Sequence, residues 1–388
     1  MARRLERRRP ADERAVPQEE GTDQPQGVAD AGGIGARAWP GGGPPDRITT
    51  APVMTLGPGP PRGRKWEEET MTHFKTLLLS TAAAVGLAGG AAAQDIAVIA
   101  GSIEDAFMDK IKKGVDDATL VVEANGGTVQ YLRTQNYENF GPDLVTLINQ
   151  AVAQGVDGIA IPVWVPDAQI PALNMAREQG IVIMQYNSGL PVKDEIGAVN
   201  YFGSDEYEAG FGGGRYLAEN GATHILCHIQ VPGAINLTER CQGVTDGAGE
   251  LGAMVTVLET PPNLDGDVTG TAEALNAEFI GDSSIDAMVS TADFGAAAGA
   301  NAVEQTGLEI MVSAFDFSPA SLERIQAGTQ TMAIDQQPYL QGFLSTSMLF
   351  SHLKYGTEIS TDPVLTGPAI IDASNVEAVI AGAALGAR

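Results

Sequence analysis

Short apolar runs alternate along the chain with longer segments in which apolar residues recur every three or four positions. The runs are rich in β-branched residues and bounded by Gly or Asp, which is typical of strands buried on both faces of a sheet. They read DIAVIA, GTVQYL, DGIAIPV, GIVIMQY, THILCHI, AMVTVL, DAMVS, LEIMVSAF and TMAID. Between them, one helical stripe contains Ile111, Val115, Ala118 and Val122, and another contains Leu144, Leu147, Ile148 and Ala151. This alternation predicts parallel sheets joined by right-handed helical crossovers.

The spacing of the runs repeats once along the chain. Their reference positions are 33, 30 and 22 residues apart in the first half, and 30, 32 and 23 residues apart in the second. The positions compared are Ile96, Val129, Ile159 and Ile181, then Ile225, Val255, Ala287 and Ile310. The sequence therefore predicts an α/β fold of two similar three-layer lobes in tandem, each built on a parallel sheet.

Polar and aromatic residues gather where the predicted strands end. In open parallel sheets, ligands bind outside the carboxyl ends of the strands. These ends supply Asp105, Phe107, Trp164 and Asn187 in the first half, and Gln230, Asp293, Asp316 and Gln336 in the second. Carboxylates and amides take paired hydroxyls, and aromatic rings stack on the C–H faces of a sugar ring. Asp293 or Asp316 alone could simply cap a following helix, but the shared placement favours a site for a polyhydroxyl ligand.

The segment 71–93 has the pattern of an export signal. Lys75 belongs to a short basic lead, Leu77 to Leu87 form an apolar core, and Ala91-Ala92-Ala93 supplies the small residues that signal peptidase accepts. A membrane span needs roughly 20 strongly apolar residues, whereas this core is short and rich in alanine and glycine. We expect cleavage after Ala93 and export to the periplasm.

Residues 1–70 precede this signal, although a signal peptide acts only at an N-terminus. They are rich in Arg, Pro, Gly and Ala, lack apolar periodicity and could not bury a core. One interpretation is a disordered extension. We favour another, in which translation starts at Met71 and residues 1–70 are upstream DNA read as protein. The stretch Trp66-Glu67-Glu68-Glu69 can be encoded by a purine-rich run that resembles a ribosome-binding site.

Beyond residue 93 the chain is strongly acidic. Of the 23 lysines and arginines 11 lie there, and of the 49 aspartates and glutamates 38 do, so these 295 residues carry a net charge of −27. Such a charge repels nucleic acid and anionic lipid, which argues against both as partners. The length is sufficient for two lobes that each bury a core.

The cysteines and histidines suggest no metal or redox centre. Cys227 lies in the middle of a predicted strand and Cys241 in the helix that follows. A helix axis packs about 10 Å from its sheet, whereas the Cα atoms of a disulfide lie within about 7 Å. We therefore expect two buried thiols, with a disulfide as the alternative. His224 and His228 could share a strand face, but no Cys or carboxylate supports them as metal ligands, and we expect neither metal nor cofactor.

Several short motifs follow one another along the chain in a specific order. They are the opening strand with Asp105 and Phe107, Gly155-Val156-Asp157-Gly158-Ile159, Ser204-Asp205, Asp293 before a helix, Ala314-Phe315-Asp316 and Asp335-Gln336-Gln337-Pro338. In these motifs the chain resembles the ribose-type (type I) periplasmic sugar-binding proteins, the soluble receptors of bacterial ABC importers. Each motif alone is weak, but together they span essentially the whole chain beyond residue 93.

With the strand ends, the resemblance implies nine ligand-binding residues. They are Asp105, Phe107, Trp164, Asn187, Asn236, Arg240, Asp293, Asp316 and Gln336. Arg240, or the nearby Asn236, corresponds to an arginine of that family, and the register there is open. The chain departs from the family at Ala292, where many relatives have Asn, at Asn187-Ser188 in place of Asp-Arg, and at Trp164 in place of a smaller polar residue. These departures leave a cyclic monosaccharide or polyol as the expected ligand and disfavour ribose.

The resemblance also implies a division into lobes and a function. The chain crosses between the lobes three times, so the N-terminal lobe takes residues 95–202 plus 337–365 and the C-terminal lobe 203–336 plus 366–388. Such a hinge restricts motion to a clamshell bend. The implied function is that of a monomeric, non-enzymatic receptor. It captures a small neutral sugar or polyol and delivers it to the membrane permease of an ABC importer.

Other functions fit the sequence less well. A dinucleotide enzyme needs G-x-G-x-x-G after its first strand, where this chain has GSIEDAF. The glycine-rich run 210–214 falls inside a predicted helix, so close helix packing explains it better than phosphate binding. A repressor of the same fold would begin with a helix-turn-helix, where this chain has its signal segment. The alternative that stays open is a periplasmic sensor presenting a sugar-like signal to a membrane chemoreceptor or kinase, which neighbouring genes would distinguish.

Overall fold

The structure of the protein, a computed structural model, describes residues 93–388. The predicted extension 1–70 and the predicted signal peptide 71–93, apart from Ala93, lie outside the described residues. The strands are β1 (Asp95–Ala100), β2 (Thr128–Arg133), β3 (Gly158–Ile161), β4 (Val182–Asn187), β5 (Tyr201–Gly203), β6 (His224–Ile229), β7 (Met254–Glu259), β8 (Ala287–Ser290), β9 (Met311–Phe315), β10 (Met332–Asp335), β11 (Val364–Leu365) and β12 (Ala369–Ile371). The helices are α1 (Ala106–Ala124), α2 (Phe140–Gln154), α3 (Pro166–Glu178), α4 (Glu206–Glu219), α5 (Ile235–Gly249), α6 (Val268–Gly281), α7 (Asp293–Thr306), α8 (Pro319–Ala327), α9 (Pro338–Tyr355) and α10 (Glu377–Ala384).

The predicted strands and helical stripes are confirmed. Each of the nine apolar runs contains a strand, and in β1 every residue from Ile96 to Ala100 is fully buried. The first stripe lies on the buried face of α1, and most of the second on the buried face of α2. Within residues 93–388, no helix is long and apolar enough to cross a membrane.

The strands form two sheets of six with equivalent strand orders. The order is β11-β5-β4-β3-β1-β2 in the first sheet and β12-β10-β9-β8-β6-β7 in the second. The strands pair in parallel except that β12 runs antiparallel to β10. We call the parts built on these sheets the first and second lobe. Two α/β lobes with mainly parallel sheets are confirmed, while β5, β11 and β12 were not predicted because strands of two or three residues are too short to show an apolar pattern.

The chain passes between the lobes at three places. It leaves the first sheet after β5 at Ser204 and returns after β10 at Gln337, where α9 packs on α1 and on β3 and β4 of the first lobe. It crosses again between β11 and β12. The hinge therefore consists of three adjacent segments, and the strand ends that face the cleft lie next to them. The residue bounds given above for each lobe remain a prediction.

Glycines bring α4 and α5 into close contact. A Cβ atom at Gly210 would lie 2.0 Å from the carbonyl oxygen of Arg240, and one at Gly214 would lie 2.3 Å from that of Val244. Gly243 faces the backbone of Tyr207 in the same way, at 2.1 Å. The glycine-rich run thus serves helix packing, as predicted. It lets the backbones of α4 and α5 lie in direct contact, which fixes the position of α5 relative to α4.

The prediction of two free thiols is wrong, because Cys227 and Cys241 form a disulfide. Their Cα atoms are 5.7 Å apart. The distance of about 10 Å applies to the helix axis, whereas a Cα on the near side of a helix lies about 2.3 Å closer to the sheet. Cys241 also lies in the second turn of α5, close to the short β6–α5 connection, so strand and helix are near each other there.

The two histidines of β6 link neighbouring strands. His228 is fully buried, with Nδ1 3.0 Å from Ser290 Oγ and Nε2 3.0 Å from Thr260 Oγ1. His224 repeats the arrangement at the other end of the strand, between Ser284 and Thr256. Burial lowers the pKa of His228 to about 4, so its ring is neutral at physiological pH and bridges two hydroxyls.

Candidate ligand-binding site

A cavity of about 420 Å³ lies between the carboxyl ends of the strands of the two lobes. This volume falls in the range of small-molecule sites, about 300–1,000 Å³. The structure brings all nine sequence-predicted site residues to the cavity wall: Asp105, Phe107, Trp164, Asn187, Asn236, Arg240, Asp293, Asp316 and Gln336. They come from the carboxyl ends of seven strands, β1, β3, β4, β6, β8, β9 and β10, and they converge because these strands run in a shared direction within each sheet.

Asp105 lies in the part of the cavity wall that the first lobe contributes. It is the N-cap of α1, where Oδ1 accepts a hydrogen bond from the backbone N–H of Phe107 at 2.8 Å. Its Oδ2 accepts the hydroxyl of Tyr137 at 2.6 Å. Burial raises the pKa of Asp105, and the Tyr137 hydroxyl partly offsets that effect. Both carboxylate oxygens therefore have protein partners, and Asp105 orients two aromatic residues of the wall.

The aromatic wall of the first lobe centres on Trp164. Its ring centroid lies 5.1 Å from that of Phe140, and Phe140 meets Tyr137 edge-on at 4.7 Å. The backbone N–H groups of Trp164 and Val165 both donate to Oε1 of Gln169 at 2.9 Å, which ties the loop to α3. Trp164 is 4% exposed, so its ring belongs to the cavity wall and not to the outer surface of the lobe.

Asn187 and Asp316 occupy equivalent positions in the two lobes. Asn187 ends β4 and Asp316 follows β9, and these are the fourth strands of the two halves. Both residues have a φ of +62°, a left-handed conformation that Asn and Asp tolerate better than other non-glycine residues. Such strain persists where the surroundings require it and is concentrated at functional sites. The sequence repeat did not reveal this shared backbone turn.

Asp316 lies in the part of the cavity wall that the second lobe contributes. The side-chain Nε2 of Gln336 donates to its two carboxylate oxygens at 2.9 and 3.1 Å. Burial raises the pKa of Asp316 to about 7, although the positive charges of Arg240 and Lys110 oppose the shift. A hydroxyl-bearing ligand would meet here a carboxylate that changes charge near neutral pH.

Arg240 is held by protein groups on three sides. Nε donates to Oε2 of Glu206 at 2.7 Å, and Nη1 donates to the carbonyl oxygen of Thr291 at 2.8 Å. The guanidinium carbon lies 4.3 Å from the ring centroid of Phe315. Asn236 lies one helical turn before Arg240 on α5, and both side chains line the cavity. The resemblance left open which of the two residues faces the predicted ligand site, and both line the cavity.

Two buried amide oxygens in the cavity wall lack a hydrogen-bond partner. They are Oδ1 of Asn236 and Oε1 of Gln336, and no described residue donates to either. The two residues are 5% and 1% exposed. A buried polar atom without a partner is unfavourable, and both atoms are acceptors. The cavity is therefore prepared for a ligand that donates hydrogen bonds.

Asp293 is engaged with the protein itself. It begins α7, and its Oδ1 accepts the hydroxyl of Ser321 on α8 at 2.6 Å. The helix-capping alternative does not apply, because the N-cap position belongs to Ala292. Asp293 lines the cavity while it ties α7 to α8.

Further lining residues were not among the nine. They include Glu104, Lys110, Tyr137, Phe140, Gln230, Asp265, Thr291 and Phe294. Gln230 was visible at the end of β6. Tyr137 and Asp265 lie in loops whose sequence shows no periodicity, and no signal would have found them. Burial, and then the negative charges of Asp105 and Glu104 on the other side of the cleft, raise the pKa of Asp265 to about 7.

Two direct contacts join the lobes across the cavity. Lys110 of α1 donates from Nζ to the carbonyl oxygen of Phe317 and lies 5.4 Å from the centroid of its ring. The backbone N–H of Ile235, which begins α5, donates to the carbonyl oxygen of Trp164 at 2.8 Å. The lobes are therefore closed on each other, and the cavity is enclosed by both.

A sequence model described as a periplasmic binding protein domain matches residues 96–358. The chain belongs to the periplasmic binding protein family. The chain is similar to a xylose/arabinose-binding protein, XylF, of Sulfolobus acidocaldarius. It is 26% identical over 293 residues, which cover 70% of this chain and 69% of the relative.

Solved structures are similar as well. A carbohydrate transporter protein of Acidothermus cellulolyticus, solved in complex with myo-inositol, has a TM-score of 0.70 and 31% identity, covering 76% of this chain and all of the other. An ABC transporter solute-binding protein of Burkholderia graminis in complex with D-arabinose has a TM-score of 0.63 and 24% identity. That alignment covers 74% of this chain and 97% of the other, and at this identity it supports the fold alone. The resemblance found in the sequence motifs is thus confirmed.

Proposed function

We propose that this periplasmic binding protein captures a neutral cyclic polyol or monosaccharide between its lobes and delivers it to the permease of an ABC importer. It acts as a monomer and catalyses no reaction. The observation that carries the proposal is the pair of buried, unpartnered acceptors, Asn236 Oδ1 and Gln336 Oε1, in a cavity with an aromatic wall. Hydroxyl groups satisfy such acceptors, and the C–H faces of the same ring stack on aromatic side chains.

The charges of the cavity favour a neutral ligand over an anionic one. Five carboxylates line it, at Glu104, Asp105, Asp265, Asp293 and Asp316, against the two cations Lys110 and Arg240. The charge of Arg240 is already balanced by Glu206 at 2.7 Å. A phosphate or uronate would therefore meet net repulsion, whereas hydroxyls can donate to the carboxylates.

The relatives support a ring that carries several hydroxyls. The protein solved with myo-inositol and the xylose/arabinose-binding relative indicate a six-membered cyclitol or aldopentose ring. Either ring has hydroxyls to reach both lobes and C–H groups to cover Trp164. The chain departs from the ribose-type pattern at Ala292, Asn187 and Trp164. We therefore expect ribose to bind more weakly than these compounds.

Calorimetric titration tests the ligand class. The panel is myo-inositol, D-xylose, L-arabinose, D-galactose and D-ribose, with glucose 6-phosphate and glucuronate as anionic members. We expect at least one neutral member to bind with one-to-one stoichiometry and the anionic members to give no heat. Binding by anionic members alone would overturn the proposal.

A pair of variants on one helix locates the binding. Asn236→Ala removes an acceptor that no described residue uses, so the fold should persist while affinity falls about five- to tenfold. Gln242→Ala, on the exposed side of α5, should leave affinity unchanged. Equal affinities in the two variants would place the ligand elsewhere.

The periplasmic location rests on the signal segment 71–93. In the native host, the protein recovered from the periplasm should begin at Gln94 and migrate as a monomer in gel filtration. N-terminal sequencing decides the cleavage site. Peptides from residues 1–70 in the host's protein would contradict a start at Met71.

A further inference from the structure

A chain of side-chain hydrogen bonds runs from the aromatic wall of the first lobe to the carboxylate of the second. Trp164 Nε1 donates to Asn187 Oδ1 at 3.1 Å, and Asn187 Nδ2 donates to Gln341 Oε1 at 3.0 Å. Gln341 Nε2 donates to the backbone carbonyl oxygen of Gln336 at 3.2 Å. The side chain of Gln336 then donates to Asp316. Gln341 is the member of this series that does not line the cavity.

The direction of these hydrogen bonds is fixed at both ends. An indole N–H can only donate, and a backbone carbonyl can only accept. Asn187 must therefore turn its oxygen to Trp164 and its nitrogen to Gln341. Gln341 must in turn present an oxygen to Asn187 and a nitrogen to Gln336. A carboxamide meets both requirements, whereas an ionised carboxylate lacks the donor and an aliphatic side chain lacks both groups.

Gln341 occupies a central place in the hinge. It lies in the first turns of α9, directly after the second crossing, and is fully buried. The carbonyl oxygen of Gln336 that it contacts also accepts the hydroxyl of Thr366, from the third crossing, at 2.7 Å. The Gln341 amide thus connects the end of β4 to the second hinge segment, at a carbonyl oxygen that the third segment also contacts.

We propose that Gln341 is a positioning residue for ligand binding, which fixes the Asn187 amide and the Trp164 ring relative to the hinge carbonyl of Gln336. The proposal rests on the function given above and adds a residue that touches no ligand. Without Gln341, the Asn187 amide can rotate and turn its nitrogen to the indole, which breaks the bond to Trp164. The carbonyl of Gln336 keeps Thr366, so the larger effect falls on the first lobe.

The first test needs no ligand. In a background with Trp39→Phe and Trp66→Phe, Trp164 is the remaining tryptophan of the chain, and its emission reports the indole hydrogen bond. Gln341→Met removes both amide contacts at similar volume. We expect a changed emission spectrum in the unliganded protein. The matched control is Gln330→Met, which removes another buried glutamine, bonded to Ser321 and Arg324 in the second lobe, and should leave the emission unchanged.

Affinity and its pH dependence give the second test, with whichever neutral member of the panel binds. Gln341→Met should weaken that binding about tenfold, and Gln330→Met should not. With Gln341→Glu, the ionised carboxylate can accept from Asn187 but cannot donate to Gln336, whereas the protonated carboxyl can do both. The affinity of Gln341→Glu relative to the unsubstituted protein should therefore recover as the pH is lowered.

The outcomes separate the two proposals. A folded Gln341→Met protein, by circular dichroism, with the emission of the unsubstituted chain would overturn the positioning role. If Gln341→Met does not fold, Gln341→Glu decides, and an emission and relative affinity that do not change with pH would also overturn it. A panel in which nothing binds would refute the proposed function, while the emission measurement would still decide the role of Gln341.

Discussion

Arg240 and Glu206 form a buried ion pair in which Nε donates to Oε2 across 2.7 Å, with side chains 3% and 1% exposed. Glu206 begins α4 directly after the first hinge crossing, and Arg240 lies on the glycine-packed helix α5 that faces it. Burying two charges costs desolvation that their attraction only partly offsets. The pair therefore holds Arg240 in place at the cavity rather than adding much net stability.

Glu206→Gln should lower the free energy of unfolding by about 3–5 kcal/mol, because it leaves the Arg240 charge buried without a counter-ion. Affinity should fall too, since Arg240 loses its orientation. Denaturant unfolding and calorimetry measure the two effects. Glu219→Gln on the same helix is the matched control, because its pair with Arg215 is about half exposed and such pairs contribute less than about 1 kcal/mol. Equal stability losses in the two variants would contradict the buried-pair interpretation.

Asp316→Asn should stabilise the fold and weaken binding. The pKa of Asp316 is about 7 in the folded protein against an ordinary value of 3.8, so ionisation opposes folding. This penalty is absent below about pH 4, grows as the pH rises, and is complete above pH 7. Asn tolerates the φ of +62° at this position. Thermal unfolding should therefore show a more stable variant at pH 8 and little difference between variant and unsubstituted protein at pH 4. A variant that exceeds the unsubstituted protein in stability by more at pH 4 than at pH 8 would contradict the assignment.

Ligand affinity should fall as the pH is lowered through 7. Hydroxyls that donate to Asp316 favour its ionised form and lower its pKa in the complex, so binding releases a proton near that pH. Titrations in buffers of different ionisation enthalpy measure the proton release. Asp316→Asn should remove most of it, and any remainder should disappear with Asp265→Asn, whose carboxylate also has a raised pKa. Proton uptake on binding would contradict this prediction.

Ligand binding should change the emission of Trp164 in the Trp39→Phe, Trp66→Phe background. The ring is 4% exposed before any ligand is bound, so stacking should alter intensity more than wavelength. The change should saturate with the calorimetric affinity. Tight binding with constant emission would place Trp164 away from the ligand.

Lys110→Met should loosen the closed arrangement of the lobes. It removes the cross-cleft hydrogen bond from the charged ammonium to the carbonyl of Phe317. Hydrogen bonds of charged groups contribute about 1.5–3 kcal/mol, so affinity should fall about tenfold or more. Small-angle scattering should give a larger radius of gyration in the unliganded variant. Lys113→Met on the same helix, where the ion pair with Asp117 is exposed, is the control. A weaker affinity with an unchanged radius would show that Lys110 acts on the ligand alone.

The parts of the fold that depend on regular patterns could be predicted from the sequence. Continuous apolar runs marked β1 to β4 and β6 to β10, and their repeated spacing marked two lobes. Since parallel strands end at one edge, residues such as Asp105 and Asp316 could be assigned to one cleft before any contact was known. Both line the cavity, and whether they bind the ligand remains a prediction.

The parts of the fold and of the candidate site that depend on close three-dimensional contacts could not be predicted from the sequence. Tyr137 and Asp265 reach the cavity from loops without periodicity. The role proposed for Gln341 depends on hydrogen bonds to Asn187 and Gln336, which lie 154 and 5 positions away in the sequence. The left-handed turn at Asn187 leaves no mark in a strand pattern. The disulfide was missed because average packing distances do not describe the near side of one helix turn.

The disulfide between Cys227 and Cys241 forms only under oxidising conditions. It links residues 14 positions apart. Closing a loop of this size lowers the conformational entropy of the unfolded chain and so stabilises the fold by about 3 kcal/mol. The loop contains the turn that leads into α5 and ends beside Arg240. Protein produced in a reducing cytosol would lack this covalent closure, so recombinant material intended for binding studies should be exported or oxidised before purification.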